Sequence, residues 1–176
     1  RRGPTMIDES FLDFTDLSLS FDDADVVIRS LTKIYALPGL RAGAVVGPAD
    51  LITQWREQRD PWALNVLAGA AVLASIAQPG HVARTREYVA LERERMAEAV
   101  GQLPGVSLVP SRANYLFAKL SYPSGALCDY MQSRKVLLRN CTGWIGTEGE
   151  AVRFAIRTPV ENDRLIELWR DYRCEF

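Results

Sequence analysis

The sequence predicts an α/β chain with one edge of an open α/β sheet, then a long helix, then a compact α+β unit. Three observations predict this. Short apolar runs, "TMID", "ADVVIRSLT" and "RAGAVVG", precede a helical pattern, as expected at one edge of an open α/β sheet. A long amphipathic stretch rich in Arg and Glu follows, and from Pro104 onward short strands and helices alternate. At 176 residues the chain has room for one good core or two small ones.

Each element has its own signal. "PTMIDESFLDF" reads as a short buried strand ending in the acidic pair Asp8 and Glu9. The next two runs are strands, and Pro48 then opens the helix "PADLITQWREQ". Pro61 interrupts the charged end of that helix. "WALNVLAGAAVLASIAQ" is apolar on nearly every face, which predicts a buried helix. "PGHVARTREYVALERERMAEAVGQL" is a long amphipathic helix with Val82, Tyr88, Val89, Met96 and Val100 inward and its charges solvated. Beyond it, "GVSLVPS", "NYLFAKL", "VLLRNC" and "AVRFAIRT" are strands. "SGALCDYMQSR" and the closing "PVENDRLIELWRDY" are helices, and no internal repeat appears.

Composition narrows the function classes. Apolar residues make up 48% and charged residues 24%, the balance of an ordinary globular protein. A net charge of −1 carries no electrostatic footprint for nucleic acid. No apolar run approaches the roughly 20 residues of a membrane-spanning helix, so no membrane partner is expected. Cys128, Cys141 and Cys174 show neither metal-ligand spacing nor a disulfide framework, which predicts no metal and, by default, a reduced cytoplasmic setting. "RRGPTMIDESF" has no apolar signal region. With no starting Met and a strand pattern almost at once, the chain is expected to begin inside a larger fold.

Lys33 stands in "SLTKIYALPGLRAG", with Ser30 and Thr32 just before it and Arg41 eight residues after. An ammonium in an apolar run is costly to bury, so such a Lys lies at a surface or serves chemistry. The commonest chemical use of a nucleophilic Lys is to hold pyridoxal 5′-phosphate through its aldehyde. That cofactor needs a carboxylate to keep its ring nitrogen protonated, and hydroxyls with an Arg for its phosphate. Asp8, at a strand's carboxyl end where ligands sit in open α/β sheets, meets the first need. Ser30, Thr32 and Arg41 meet the second. Each has a plainer use: Asp8 as a turn or cap residue, the Ser-Leu-Thr-Lys run as a loop.

Farther on, Arg139 and Arg153 occupy or end predicted strands, and Arg157, four residues beyond Arg153, shares its face by alternation. Three arginines near one region suggest a substrate with more than one anionic group. The plainer use is surface ion pairing of little energetic weight, and for Arg157 both uses stay open. His81, the only His, reads as a polar residue at a helix start. Asn114 and Tyr115 read as structural, while Trp62 and Asn65 are placed to reach a pocket or a partner.

"SLTKIYALPGLRAG", with "IDESF" upstream, resembles the cofactor-attachment segment of class I/II aminotransferases, which belong to the fold type I pyridoxal-phosphate enzymes. The resemblance implies that Lys33 carries the cofactor, Asp8 pairs with its pyridinium nitrogen, and Ser30, Thr32 and Arg41 hold its phosphate. Lys33 and Asp8 would be the catalytic residues. Phe11 departs from the Tyr of many members, so a hydroxyl contact to the cofactor is missing or supplied elsewhere. The implied organisation is part of the large, mostly parallel α/β domain over 1–78, a connecting helix over 79–103 and a small C-terminal α+β domain over 104–176. This is about the C-terminal half of a typical member. It follows that these residues alone should expose apolar sheet surface and show negligible activity, and that the full-length parent is a homodimer.

Within the family, "DPWALN", "LLRNCTGWIGTEG" and "VRFAIRTPVENDRL" look like the threonine-phosphate decarboxylases, lyases that make aminopropanol phosphate for cobalamin biosynthesis. That likeness implies a phosphorylated amino-acid substrate, with Arg153 at its carboxylate region, Arg139 contributing at its phosphate and Arg157 joining either. The alternatives are a histidinol-phosphate aminotransferase or another class I/II aminotransferase, and a folded fragment that does no chemistry.

Overall fold

A computed structural model gives the fold, and it describes residues 5–17 and 25–175, with side chains of the closing helix as far as Tyr172. The side chain of Cys174 lies outside the described residues. The chain divides into two compact units, Arg1–Arg86 and Glu87–Phe176, and each has its own sheet.

In the first unit β1 (Met6–Asp8), β2 (Val26–Ser30) and β3 (Gly43–Val46) form a sheet in the order β1-β2-β3. β1 runs parallel to β2, with Asp8 opposite Ile28, and β3 runs antiparallel, with Gly43 opposite Ser30. The β-branched centre of β2 buries Val26 and Val27, as suits a central strand. β1 corrects the expectation of a buried strand. It stands at the sheet edge and leaves Met6 exposed, as β3 leaves Val45 and Val46. After Ser30 the chain turns at once into the single helical turn α1 (Leu31–Ile34). A β-carbon on Gly43 would stand 3.0 Å from the Arg29 carbonyl oxygen, so glycine permits this tight return to β2.

Pro48 precedes α2 (Ala49–Gln58), close to where a missing backbone N–H has no helical partner to lose. α3 (Val66–Ile76) starts later than its apolar run, because the Asn65 side chain accepts from Ala68 N at 2.8 Å and caps it. The expectation that α3 is buried fails. Only Ala68 is buried, while Leu67 and Leu73 are 71% and 72% exposed. Uniform apolarity marks a helix that needs cover, and these residues do not supply it. α4 (His81–Gly101) follows, and the boundary between the units falls within it. Val89, Met96 and Val100 are buried as the periodicity predicts, and Val82 is half-buried. Tyr88 is instead exposed, because its hydroxyl reaches out to donate to the Arg157 carbonyl at 2.7 Å.

The second unit carries β4 (Val106–Val109), β5 (Tyr115–Leu120), α5 (Ser124–Ser133), β6 (Arg139–Asn140), β7 (Glu150–Ala155) and α6 (Pro159–Glu175). The strands lie antiparallel in the order β4-β5-β7-β6. Leu116, Ala118 and Leu120 alternate inward from β5, and Val152 and Phe154 from β7. Met96, Val100, Leu127, Met131, Leu165 and Trp169 bring helix faces into this core. Trp169, fully buried, meets Phe154 edge-on and donates its indole N–H to the Tyr122 hydroxyl at 2.8 Å. The expected "VLLRNC" strand shrinks to two residues. Lys135 takes a left-handed φ of 67° and Val136 N still bonds Met131 O, so α5 releases the chain late. Leu137 is left exposed.

α6 begins with a capping box. Glu161 N approaches Thr158 Oγ1, and Glu161 Oε2 accepts from the Thr158 N–H at 3.2 Å and its hydroxyl at 2.7 Å. The Arg157 guanidinium and Thr158 hold the Glu161 carboxyl down to about 2 from its usual 4.5. A depressed carboxyl adds stability above its unfolded value and loses it as pH falls toward its folded one. Glu161→Gln should therefore flatten the loss of thermal stability between pH 4.5 and 2, followed by circular dichroism. Leu73→Gln should change stability by less than about 0.5 kcal/mol in urea titration, because the side chain it replaces is already in water.

Candidate cofactor and substrate sites

Within the first unit, one sheet edge gathers the predicted residues. Because β1 and β2 are parallel, Asp8 and Ser30 both end their strands there, and β3 enters at the same edge just after Arg41. Carboxyl ends of parallel strands are the usual ligand edge of α/β sheets. The Ser10 N–H donates to Asp8 Oδ1 at 2.8 Å. Ser10's hydrogen bonds, and more weakly the Lys33 charge, hold the Asp8 carboxyl below the usual carboxylate range. Asp8 is therefore a carboxylate at neutral pH. Ser30 and Thr32 place their hydroxyl oxygens 2.9 Å apart. Lys33 is half-buried, with its ammonium 5.0 Å from the centre of the Phe11 ring, a cation–π contact. Phe11 thus supplies a ring face to the Lys33 ammonium. Arg41 adopts the left-handed conformation at φ 53°. Among the described residues its guanidinium reaches only the Pro38 carbonyl, at 3.4 Å. A cleft of about 520 Å³ opens beside Arg41, lined also by Trp55, Arg56 and Arg59 but not by Lys33 or Asp8.

Arg29 and Asp13 carry no role in the sequence alone, and Glu9 and His81 have larger ones than their sequence positions suggest. The Arg29 Nη2 donates to Asp13 at 2.8 Å, and its Nε stands 3.1 Å from the buried Glu9 carboxylate, outside hydrogen-bond alignment. A lone Arg inside "VVIRS", which needs a partner if it faces inward, was the available signal. His81 presents its Nε2 to the Ile34 carbonyl at 3.0 Å, beside Lys33. Of the other candidates, Asn65 is committed to its cap and Trp62 stands 89% exposed.

In the second unit, the β6–β7 register sets Arg139 directly opposite Arg153. Like charges in that position repel, so the pairing favours an anion between or above them. Neither arginine forms an ion pair among the described residues. The Arg153 guanidinium lies 5.1 Å from the Tyr115 ring centre and 5.8 Å from that of Trp144. From the sequence alone Tyr115 reads as structural and Trp144 carries no signal. β6 is short, and side chains hold it in place. Asn140 Oδ1 accepts from the buried Ser124 hydroxyl at 3.1 Å and from Thr142 N at 2.9 Å. Glu150 Oε2 accepts from Ser124 N at 2.7 Å and from the Thr142 hydroxyl at 3.2 Å, which keeps its carboxyl ionised below its usual range. Burial pushes the Cys141 thiol up, against the opposing pull of Arg153 and Arg139, so it is a neutral packing residue.

Arg157 is placed differently. Val152, Phe154 and Ile156 are buried, so Arg153 and Arg157 alternate with them. Glu161 Oε1, however, accepts from Arg157 Nε at 3.1 Å and from Nη2 at 2.6 Å. Buried Asn162 brackets its backbone, accepting from Arg157 N at 2.9 Å and donating to Arg157 O at 3.0 Å.

Known proteins resemble this chain in sequence and in fold. The chain is 32% identical over 173 residues to the threonine-phosphate decarboxylase of Salmonella typhimurium, covering 94% of this chain and 48% of that protein. The histidinol-phosphate aminotransferase of Clostridium acetobutylicum matches in structure with a TM-score of 0.87 and 24% identity, over 97% of this chain and 54% of that one. That of Sinorhizobium meliloti, solved in complex with pyridoxal-5′-phosphate, matches with a TM-score of 0.83 and 17% identity, over 97% and 48%. The chain spans about half the length of the curated relatives it matches. The model of the aminotransferase class I and II family matches residues 2–168, and the chain belongs to that family.

Proposed function

We propose that the protein is a pyridoxal-phosphate-dependent lyase that releases carbon dioxide from O-phosphothreonine. The observation that carries this reading is the Arg139–Arg153 pair, two cations side by side without a carboxylate partner among the described residues, which suits a substrate with two anionic groups. The similarity to the Salmonella decarboxylase supports it.

The donor set fits the cofactor. Asp8, kept ionised by Ser10, holds a proton on a pyridine nitrogen. The paired hydroxyls of Ser30 and Thr32 and the Arg41 guanidinium donate to a phosphate. The Lys33 amine, hydrogen-bonded to no described residue, is the point of attachment and then a base of suitable reach. When bound, pyridoxal phosphate supplies an electron sink for a bond broken at the substrate's α-carbon. Arg153, resting on two aromatic rings, holds a carboxylate in one orientation. Exposed Arg139 takes the substrate phosphate. Arg157, committed to Glu161, adds charge without being needed for contact. The orientation imposed by Arg153 decides whether the carboxylate or the α-proton leaves. This reading includes a homodimer as the working assembly.

The test gives the full-length parent O-phosphothreonine and, separately, histidinol phosphate with 2-oxoglutarate, and follows carbon dioxide and glutamate. Carbon dioxide from the first supports the lyase, and glutamate from the second without carbon dioxide from the first establishes an aminotransferase instead. Neither product from the full-length parent means a folded protein without chemistry. Arg139→Ala should raise the KM for O-phosphothreonine roughly tenfold to a hundredfold, from loss of one charge-assisted hydrogen bond of about 1.5–3 kcal/mol, with little effect on threonine. Lys33→Ala should remove the borohydride-fixed cofactor beyond that on Lys119 and Lys135, whereas Asp8→Asn should retain binding and lower kcat severely; wild-type turnover in Asp8→Asn removes Asp8 from the site.

A further inference from the structure

We propose that His81 is a positioning residue for Lys33, closing the single helical turn that carries the lysine. The proposal rests on the reading of Lys33 as the cofactor lysine. α1 has only four residues, too few to be stable unaided, and the carbonyls at its end need partners. Leu37 N supplies Thr32 O at 2.9 Å, and Ala36 N supplies Lys33 O at 3.2 Å. The next carbonyl, Ile34 O, is met by His81 Nε2 at 3.0 Å, from 47 residues away. A carbonyl only accepts, so Nε2 carries the proton and donates.

The contact has a second part. The imidazole stacks on Tyr35, with ring centres 5.2 Å apart and planes 25° from parallel. Ile34 anchors the turn from its other side, at 2% exposure. Ala36, just beyond, is a non-glycine residue at φ 52°, a conformation that persists only where the surroundings hold it. Five residues along α4, Arg86 Nε donates to the Asp13 carbonyl at 3.0 Å. Asp13 belongs to the turn that follows Phe11, whose ring faces the Lys33 ammonium. One stretch of α4 therefore holds both the turn that bears Lys33 and the turn beside the ring it rests on.

Two substitutions separate the roles. His81→Phe keeps a ring on Tyr35 and removes the donor, while His81→Gln restores a side-chain N–H. Amide hydrogen exchange is read at Ala36 and Leu37. Pyridoxal phosphate is also fixed with borohydride, and the label is apportioned by peptide mass spectrometry among the chain's three lysines, Lys33, Lys119 and Lys135. In His81→Phe, exchange at Ala36 and Leu37 should rise roughly fivefold, as for the loss of one hydrogen bond, and the Lys33 share of label should fall. His81→Gln should return both toward wild type, with Lys119 and Lys135 as unchanged references. A role in general stability would lower the melting temperature without shifting the label among lysines. Unchanged exchange in His81→Phe, an unchanged label share, or failure of His81→Gln to restore them overturns the proposal. If wild-type Lys33 labels no better than Lys119 and Lys135, the cofactor reading itself fails, and the exchange measurement still decides whether His81 holds the turn.

Discussion

Arg29 sits inside a β-branched strand, and its guanidinium reaches two carboxylates of the segment after β1, Asp13 and Glu9. Glu9 is buried, and a buried carboxylate without its cation is strongly destabilising. The Glu9 N–H also donates to Ile28 O at 2.8 Å, so the chain leaving β1 stays against β2. That fixes the turn that follows Phe11, and with it the ring facing Lys33. The geometry of the edge that carries Asp8, Ser30 and Lys33 depends on one cation in a place where apolar residues are the rule. With Nε out of hydrogen-bond alignment, the Glu9 contact acts through charge, while the Asp13 bond supplies direction.

The second unit meets a similar demand with hydrogen bonds. A two-residue strand has little pairing of its own, yet β6 must keep Arg139 beside Arg153 against their repulsion. Ser124, Thr142, Asn140 and Glu150 form a closed hydrogen-bond network around it. Asn162 does the same for the end of β7, gripping the Arg157 backbone and the Glu92 carboxylate. Polar residues, with Ser124 and Asn162 among them fully buried, thus set where the cations stand.

Much of this was legible in the sequence because it is local. The strand from Val26, the helix after Pro48 and the inward positions Val89, Met96 and Val100 follow from periodicity. The Lys33 neighbourhood followed from residue types at close spacing. What was not legible depends on partners far along the chain. His81 meets Ile34 across 47 residues, and Tyr115 meets Arg153 only through the β5–β7 register. Tyr88 reads as an inward position until its hydroxyl is seen to have an acceptor outside the core. α3 failed for another reason: periodicity reports that a helix is apolar, not which residues lie over it.

That last feature bears on calorimetry. The heat capacity gained on unfolding comes mainly from apolar surface newly exposed to water, about 12–15 cal/mol/K per residue in ordinary domains. Val66, Leu67, Leu73 and Ile76 are hydrated before unfolding begins, and their hydration shells belong to both states. Melting these residues therefore yields a smaller heat-capacity step than the length and apolar content of the chain suggest, with a correspondingly flatter curve of stability against temperature.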